Sequence, residues 1–147
     1  ESKAIQELFE VDYGRMNATL GVELPFTTVN IQTTIPLAYV DPATEKIANG
    51  ETQFWKITHN GVDSHPVHFH FINVQVINRI GWDGTIKPIP ADEVGWKETV
   101  KSWPAEDLIV AIKPKTPPLP FGLANSGNGH AQACSGILGP DIILRFE

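Results

Sequence analysis

An all-β sandwich with Greek-key links is the fold that this 147-residue sequence predicts, and three observations carry the prediction. Short runs rich in β-branched and aromatic residues recur along the chain, turn-forming residues separate them, and no stretch between them keeps a strong helical period. With 41% hydrophobic residues, the length fits one domain, 1–147, large enough to bury a core. Within it, 1–36 reads as an entry or linker segment and 49–147 as the core of the sandwich.

Near the amino terminus, Ile5, Leu8 and Phe9 stand at i, i+3 and i+4, which predicts a short amphipathic turn of helix. Gly14 and Gly21 interrupt the chain after that turn, and Tyr13, Arg15 and Met16 read as packing for the entry segment. Residues 27–35 alternate and are β-branched, as an edge strand or extended connector would be. Asp41-Pro42 and Ala48-Asn49-Gly50 are turn signals. From Gln53 the pattern is antiparallel β: strands over 54–58 and 67–79 with Asn60-Gly61 in the loop between them, 99–100, 108–114 after a turn at 104–107, and 142–146. The proline-rich stretch 114–120 reads as an extended polyproline connector.

Composition excludes several functions. The net charge of −6 argues against a nucleic-acid partner, which would want a basic stripe. The longest apolar runs, such as 108–112, are strand-sized, so no membrane span is expected. The chain begins at Glu1 without a signal peptide, as an excised or mature piece of a longer protein would. A single cysteine, Cys134, rules out an intrachain disulfide and leaves a small buried hydrophobe or a metal ligand as its readings.

The chemistry is concentrated in His65-Pro66-Val67-His68-Phe69-His70. In an extended strand, alternate side chains share a face at about 3.3 Å per residue, so His68 and His70 point one way and Val67, Phe69 and Phe71 the other. Imidazole nitrogen bonds zinc or copper at about 2.0 Å, and two rings at this spacing can converge on one ion or hold two neighbouring ions. His65 has the opposite parity and stands next to a proline, which places it at the strand mouth, at a different centre. A lone strand histidine is ordinarily a surface or core residue; side-by-side imidazoles without a metal repel when protonated and lose solvation when buried.

Two other catalytic readings are weaker. A zinc hydrolase would want a base near an open metal position, and only Asp63 is close in sequence. Ser64 abuts His65, but no nucleophile-elbow motif surrounds it. Trp55, Trp96 and Trp103 read as core packing, Trp82 as core or rim, His59 as a strand-end residue, and Glu93, Glu98, Glu106 and Asp107 as solvated charges.

The segments 54–60, 65–70, 74–77 and 95–100 (the last Gly-Trp-Lys-Glu-Thr-Val) together resemble the last cupredoxin domain of the multicopper oxidases, notably the bacterial laccase and bilirubin-oxidase-like branch. The resemblance spans roughly 49–114. It implies a cupredoxin-like fold and copper as cofactor, with His65 at the blue type 1 copper, His68 as a type 2 ligand and His70 as a type 3 ligand of the cluster that reduces O2. It also implies Cys134 as the thiolate of the type 1 centre, since that centre needs a soft sulfur beside imidazoles.

The family closes this domain with His-Cys-His-x-x-x-His, whereas 133–141 here reads Ala-Cys-Ser-Gly-Ile-Leu-Gly-Pro-Asp, with His130 four residues before the cysteine. The trinuclear cluster therefore cannot be completed within this chain. The resemblance implies an oxidase only in assembly with other cupredoxin domains or further copies of the chain, with O2 and a small reducing substrate as reactants, inactivity for the chain alone, and a periplasmic or secreted location. The alternatives are a metal-binding module without turnover and a purely structural cupredoxin-like domain.

Overall fold

The computed structural model describes residues 2–12, 14–24, 33–37, 46–70, 72–115 and 141–143. These form twelve strands: β1 (Ser2–Glu10), β2 (Arg15–Glu23), β3 (Thr34–Pro36), β4 (Lys46–Ala48), β5 (Gln53–Asn60), β6 (His65–His68), β7 (Val74–Gly81), β8 (Ile86–Lys87), β9 (Trp96–Lys97), β10 (Thr99–Ser102), β11 (Glu106–Ile112) and β12 (Asp141–Ile143). A short 3-10 turn, Ala91–Glu93, lies between β8 and β9, and no α-helix occurs among the described residues. The all-β expectation holds.

Eight strands make one sheet in the order β3-β2-β1-β5-β11-β7-β8, with β9 also on β7. The pairs β6–β10 and β4–β12 form two small ladders. The chain leaves the main sheet after β5, pairs β6 with β10 in the second layer, and returns so that β11 lies between β5 and β7. This is the crossed, Greek-key type of linkage. One core joins the layers: Trp55, Ile57, Val74, Val76, Leu108, Val110 and Ile112 of the main sheet pack with Val67, Phe69 and Val100 of the second ladder and Ile47 of β4. Strand β11 alternates buried and half-buried residues strictly, as a strand between two neighbours with one covered face should. Each fully buried Ile, Leu or Val contributes roughly 1.5–3 kcal/mol.

The amino-terminal region departs from the sequence reading. Where Ile5, Leu8 and Phe9 suggested a helical turn, β1 is a nine-residue strand. It pairs antiparallel with β2 over Lys3↔Val22 to Glu10↔Arg15 and parallel with β5 over Ser2↔Lys56 to Gln6↔Asn60. Ladder pairing on both sides outweighs a helical pattern that spans barely one turn. The first 36 residues thus add three strands to the main sheet, and Asn60 Nδ2 donates to Gln6 Oε1 at 3.0 Å across the parallel pair. Gly21 is needed where β3 lies against β2, since a Cβ there would stand 2.1 Å from the Ile35 carbonyl oxygen.

The strand expected over 67–79 is two strands in different sheets, β6 paired with β10 and β7 paired with β11. Of the edge strand expected over 27–35, the described part is β3, at the end of the main sheet; 25–32, the turn at Asp41-Pro42, Tyr13, Phe71, 116–140 and 144–147 lie outside the described residues. The turn at Asn49-Gly50 is present, with Gly50 at φ 81°.

Two groups of side chains also correct the sequence reading. Trp55 is fully buried, but Trp96 and Trp103 are 60% and 44% exposed because β9 and the residue after β10 present them outward. Glu93 and Glu106, expected in solvent, are buried around Arg79. Arg79 Nη1 and Nη2 meet the Glu93 carboxylate at 2.7 and 2.9 Å, Nη2 donates to the Lys101 carbonyl at 2.8 Å, and Nε lies 3.4 Å from Glu106 Oε1, while Lys87 pairs with Glu106. Buried charges persist only when compensated in this way.

Candidate metal centre

The histidine-rich segment places its rings on two opposite faces. Along 65–70, Val67 and Phe69 are buried while Pro66, His68 and His70 are exposed, so the parity read from the sequence is the parity of the structure. Val67 and Phe69 fasten the segment to the core, and Phe69 N donates to the Glu98 carbonyl at 2.8 Å just past the end of β6.

On the exposed face, the His68 and His70 ring centroids are 4.9 Å apart with planes at 74°. His68 sits opposite Thr99 in the β6–β10 ladder, and its Nδ1 lies 2.8 Å from Thr99 Oγ1. That contact fixes the ring and leaves Nε2 as the nitrogen available to a ligand. His68, Phe69, His70, Ile72, Asn73 and Glu98 line an open hollow of about 360 Å³. Two imidazoles on one rim are a donor pair suited to a first-row transition metal.

On the other face His65 keeps different company. Strand β1 runs beside β5, and its Glu7 reaches under the loop 61–64 that links β5 to β6. Glu7 Oε2 accepts from Val62 N at 2.6 Å, both carboxylate oxygens accept from Asp63 N at 3.1 Å, and Oε1 lies 3.1 Å from His65 Nδ1 and 3.8 Å from His59 Nε2. The side chains of Glu7 and His59 are 4% and 0% exposed, that of His65 24%. His65 Nδ1 is also 3.1 Å from the Asp63 carbonyl oxygen, so it faces two acceptors and carries the proton there. His59 Nδ1 accepts from Gly61 N at 3.1 Å, and its ring meets that of His65 edge-on with centroids 5.3 Å apart. Gly61 is required here: a Cβ would stand 2.5 Å from Glu7 Cδ and 2.6 Å from His59 Cε1.

Burial pushes the Glu7 carboxyl upward, but the Val62 and Asp63 N–H donors and the two neighbouring imidazoles together outweigh it and hold the group below its ordinary value. Burial is the main cause that holds His59 below the usual histidine value; Glu7 opposes that shift and His65 reinforces it.

The structure thus brings His68 and His70 together and sets His65 apart from them, with Glu7 and His59. Cys134 and His130 lie outside the described residues. Glu7 and His59 are the residues that sequence reasoning passed over. His59 left a signal, a further histidine six positions before His65; Glu7, 52 residues earlier than His59, left none, because only the parallel β1–β5 pairing makes them neighbours.

Residues 10–119, most of the chain, match the family model described as Multicopper oxidase, and the chain belongs to that family. The sandwich is accordingly the cupredoxin-like fold, and the family's cofactor is copper. Among solved structures, it is similar to the 2F4 variant of the McoA multicopper oxidase from Aquifex aeolicus, at 22% identity and TM-score 0.49, over 80% of this chain and 23% of that one. A multi-copper oxidase from Pediococcus acidilactici gives 19% identity and TM-score 0.49, over 77% of this chain and 20% of that one. A Campylobacter jejuni multicopper oxidase described as a metallo-oxidase gives 21% and 0.40, over 46% and 14%. The chain therefore spans less than a quarter of the length of each of these structures. No curated protein sequence matches it.

Copper fits the two faces unequally. The exposed pair offers two neighbouring imidazoles with one ring already oriented by a hydroxyl. His65 turns Nδ1 to a carboxylate and a carbonyl and must release both before that nitrogen can bind a metal.

Proposed function

We propose that this chain is the copper-binding, C-terminal cupredoxin domain of a multicopper oxidase of the bacterial laccase-like kind, working in the periplasm or outside the cell. Assembled with its sister cupredoxin domains or with further copies of itself, it couples one-electron oxidation of a small reducing substrate to reduction of O2; alone it is inactive. The observation that carries this reading is the His68–His70 pair, two exposed imidazoles 4.9 Å apart at the rim of one hollow.

Copper, when bound, supplies the one-electron chemistry. The protein's part is to hold ligands still: Thr99 fixes the His68 ring, while Val67 and Phe69 pin the backbone between the histidines to the core. Phe69 and Ile72 give the hollow an apolar wall, and Glu98 and Asn73 complete its lining. His65 and Cys134 form the type 1 side of the proposal, with His65 released from Glu7 to meet the thiolate.

Copper loading of the chain tests the reading. Bound copper that is lost in His68→Ala and in His70→Ala supports it, and an unchanged copper content in both variants defeats it. A blue colour that disappears in Cys134→Ser would place the thiolate on Cu(II). Copper without colour favours the second reading, a metal-binding module without turnover, for which the absence of histidines from 133–141 speaks.

A further inference from the structure

Strand β10 carries the hydroxyl that orients His68, yet among the described residues its ladder holds only β6 beside it. A two-stranded ladder is marginal by itself, so what holds the outer edge of β10 decides how still Thr99 stands. Thr99 lies opposite His68, Val100 opposite Val67 and Lys101 opposite Pro66. In an antiparallel ladder the backbone groups of successive residues turn alternately toward the partner strand and away from it. Phe69 N donates to the Glu98 carbonyl, so Glu98 and Val100 turn toward β6 while Thr99 and Lys101 turn away. Pro66, with no N–H to offer, suits a pair of the second kind. Such pairs also bring facing side chains closest, which is how the Thr99 hydroxyl comes within 2.8 Å of His68 Nδ1.

The outward groups of Lys101 meet side chains instead of a strand. Lys101 N donates to Glu93 Oε1 at 3.2 Å, and the Lys101 carbonyl accepts from Arg79 Nη2 at 2.8 Å. Arg79 in turn grips Glu93 through both terminal nitrogens, and the two residues are each 4% exposed. Carboxylate and guanidinium thus supply the acceptor and the donor that a neighbouring strand would present to one residue. Arg79 belongs to β7, so the pair fastens the second ladder to the main sheet two residues from Thr99. Lys101 Nζ on Asp92 ties the same strand to the 3-10 turn that carries Glu93. We propose that Arg79 and Glu93 are positioning residues for the copper ligand His68, holding β10 where the Thr99 hydroxyl orients its ring.

The inference rests on the reading of His68 as a copper ligand, and it assigns the pair more than stability. A buried ion pair adds little net stability over apolar side chains of similar volume, whereas its donors and acceptors impose direction. Here one fork serves both backbone groups of a single residue, while Glu106, the other carboxylate beside Arg79, has Lys87 as a partner of its own. The arrangement serves copper when the imidazole proton sits on Nδ1 and Thr99 Oγ1 accepts it, which leaves Nε2 bare for the metal. Without the fork, the outer edge of β10 loses its hold, the hydroxyl moves off Nδ1, and the neutral ring divides between its two tautomers. Copper must then select the one with a bare Nε2, at a cost in affinity.

The test loads the full chain with Cu2+ by equilibrium dialysis and follows the copper that His68→Ala abolishes. Arg79→Met with Glu93→Leu, which fills the same space without the fork, should weaken that binding roughly tenfold or more, as should Thr99→Val. In a Thr99→Val background, removing the pair should add less than about a twofold loss, since the ring is already released. An equal loss in both backgrounds overturns the proposal, because it marks a general effect on the fold. A second readout needs no copper: nitrogen-15 NMR of the metal-free chain should show the Nδ1–H tautomer of His68, and a mixture once the pair is removed. Another tautomer in the unaltered chain, or identical His68 resonances in both, overturns the proposal. Should circular dichroism show the double variant unfolded, Glu93→Gln takes its place, and unchanged copper affinity and tautomer there also overturn it. Copper untouched by His68→Ala defeats the ligand reading alone, and the tautomer measurement then decides whether the pair orients the ring.

Discussion

The two faces of the histidine segment make opposite use of the same residue type. On one, His68 and His70 stand in solvent, the His68 ring held by the Thr99 hydroxyl and the backbone pinned from the far side. On the other, His59 and His65 close over a buried carboxylate that also accepts two backbone N–H groups. The first arrangement leaves nitrogens accessible at little structural cost; the second ties the amino-terminal hairpin to the centre of the sandwich. A proposed ligand position and a structural joint therefore differ here by one step of strand parity.

Mutations should separate the two faces, beginning with Glu7→Ala. It leaves the Val62 and Asp63 amides and His65 without their acceptor, and a loss of about 3 kcal/mol in urea unfolding is expected. Gly61→Ala should come next at about 1–2 kcal/mol, because the new methyl must push apart Glu7 and His59. His68→Ala should stay within about 0.5 kcal/mol, as an exposed site away from the core does. A loss at His68 as large as that at Glu7 would erase the contrast.

Acid should act on the buried face in two stages. The folded-state pKa of His59 lies below its ordinary 6.5, so the unfolded chain takes up the proton first, and stability falls as pH drops below 6.5 until the folded ring itself is protonated. Glu7 ionises below its ordinary 4.5 in the fold; the stability it contributes is present above 4.5 and is lost as pH falls through the lowered value. Urea midpoints measured between pH 7 and 3 should show the first stage vanish in His59→Gln and the second shrink in Glu7→Gln, with His68→Ala changing neither.

The exposed face was legible in the sequence. Period-two alternation around Val67 and Phe69 fixes where His68 and His70 point, and the β-branched runs give β5, β10 and β11 to within a few residues. The buried face was hidden for a physical reason: Glu7 meets His59 only after a parallel pairing between segments some fifty residues apart, and no local pattern encodes such a partner. The same limit explains Glu93 and Glu106, whose burial depends on Arg79 arriving from another strand, and the short helical pattern at Ile5, which two neighbouring strands override.

The parallel alignment of β1 on β5 has a sharper implication than added area. Because side chains alternate along a strand, sliding β1 by a single position would turn Glu7 away and offer Gln6 or Leu8 to the loop instead. An amide or an isobutyl group could not serve as the anion for two imidazoles and two amides at once. Whatever docks the leading hairpin by one notch thus works as a selector between a charged pocket and an inert one.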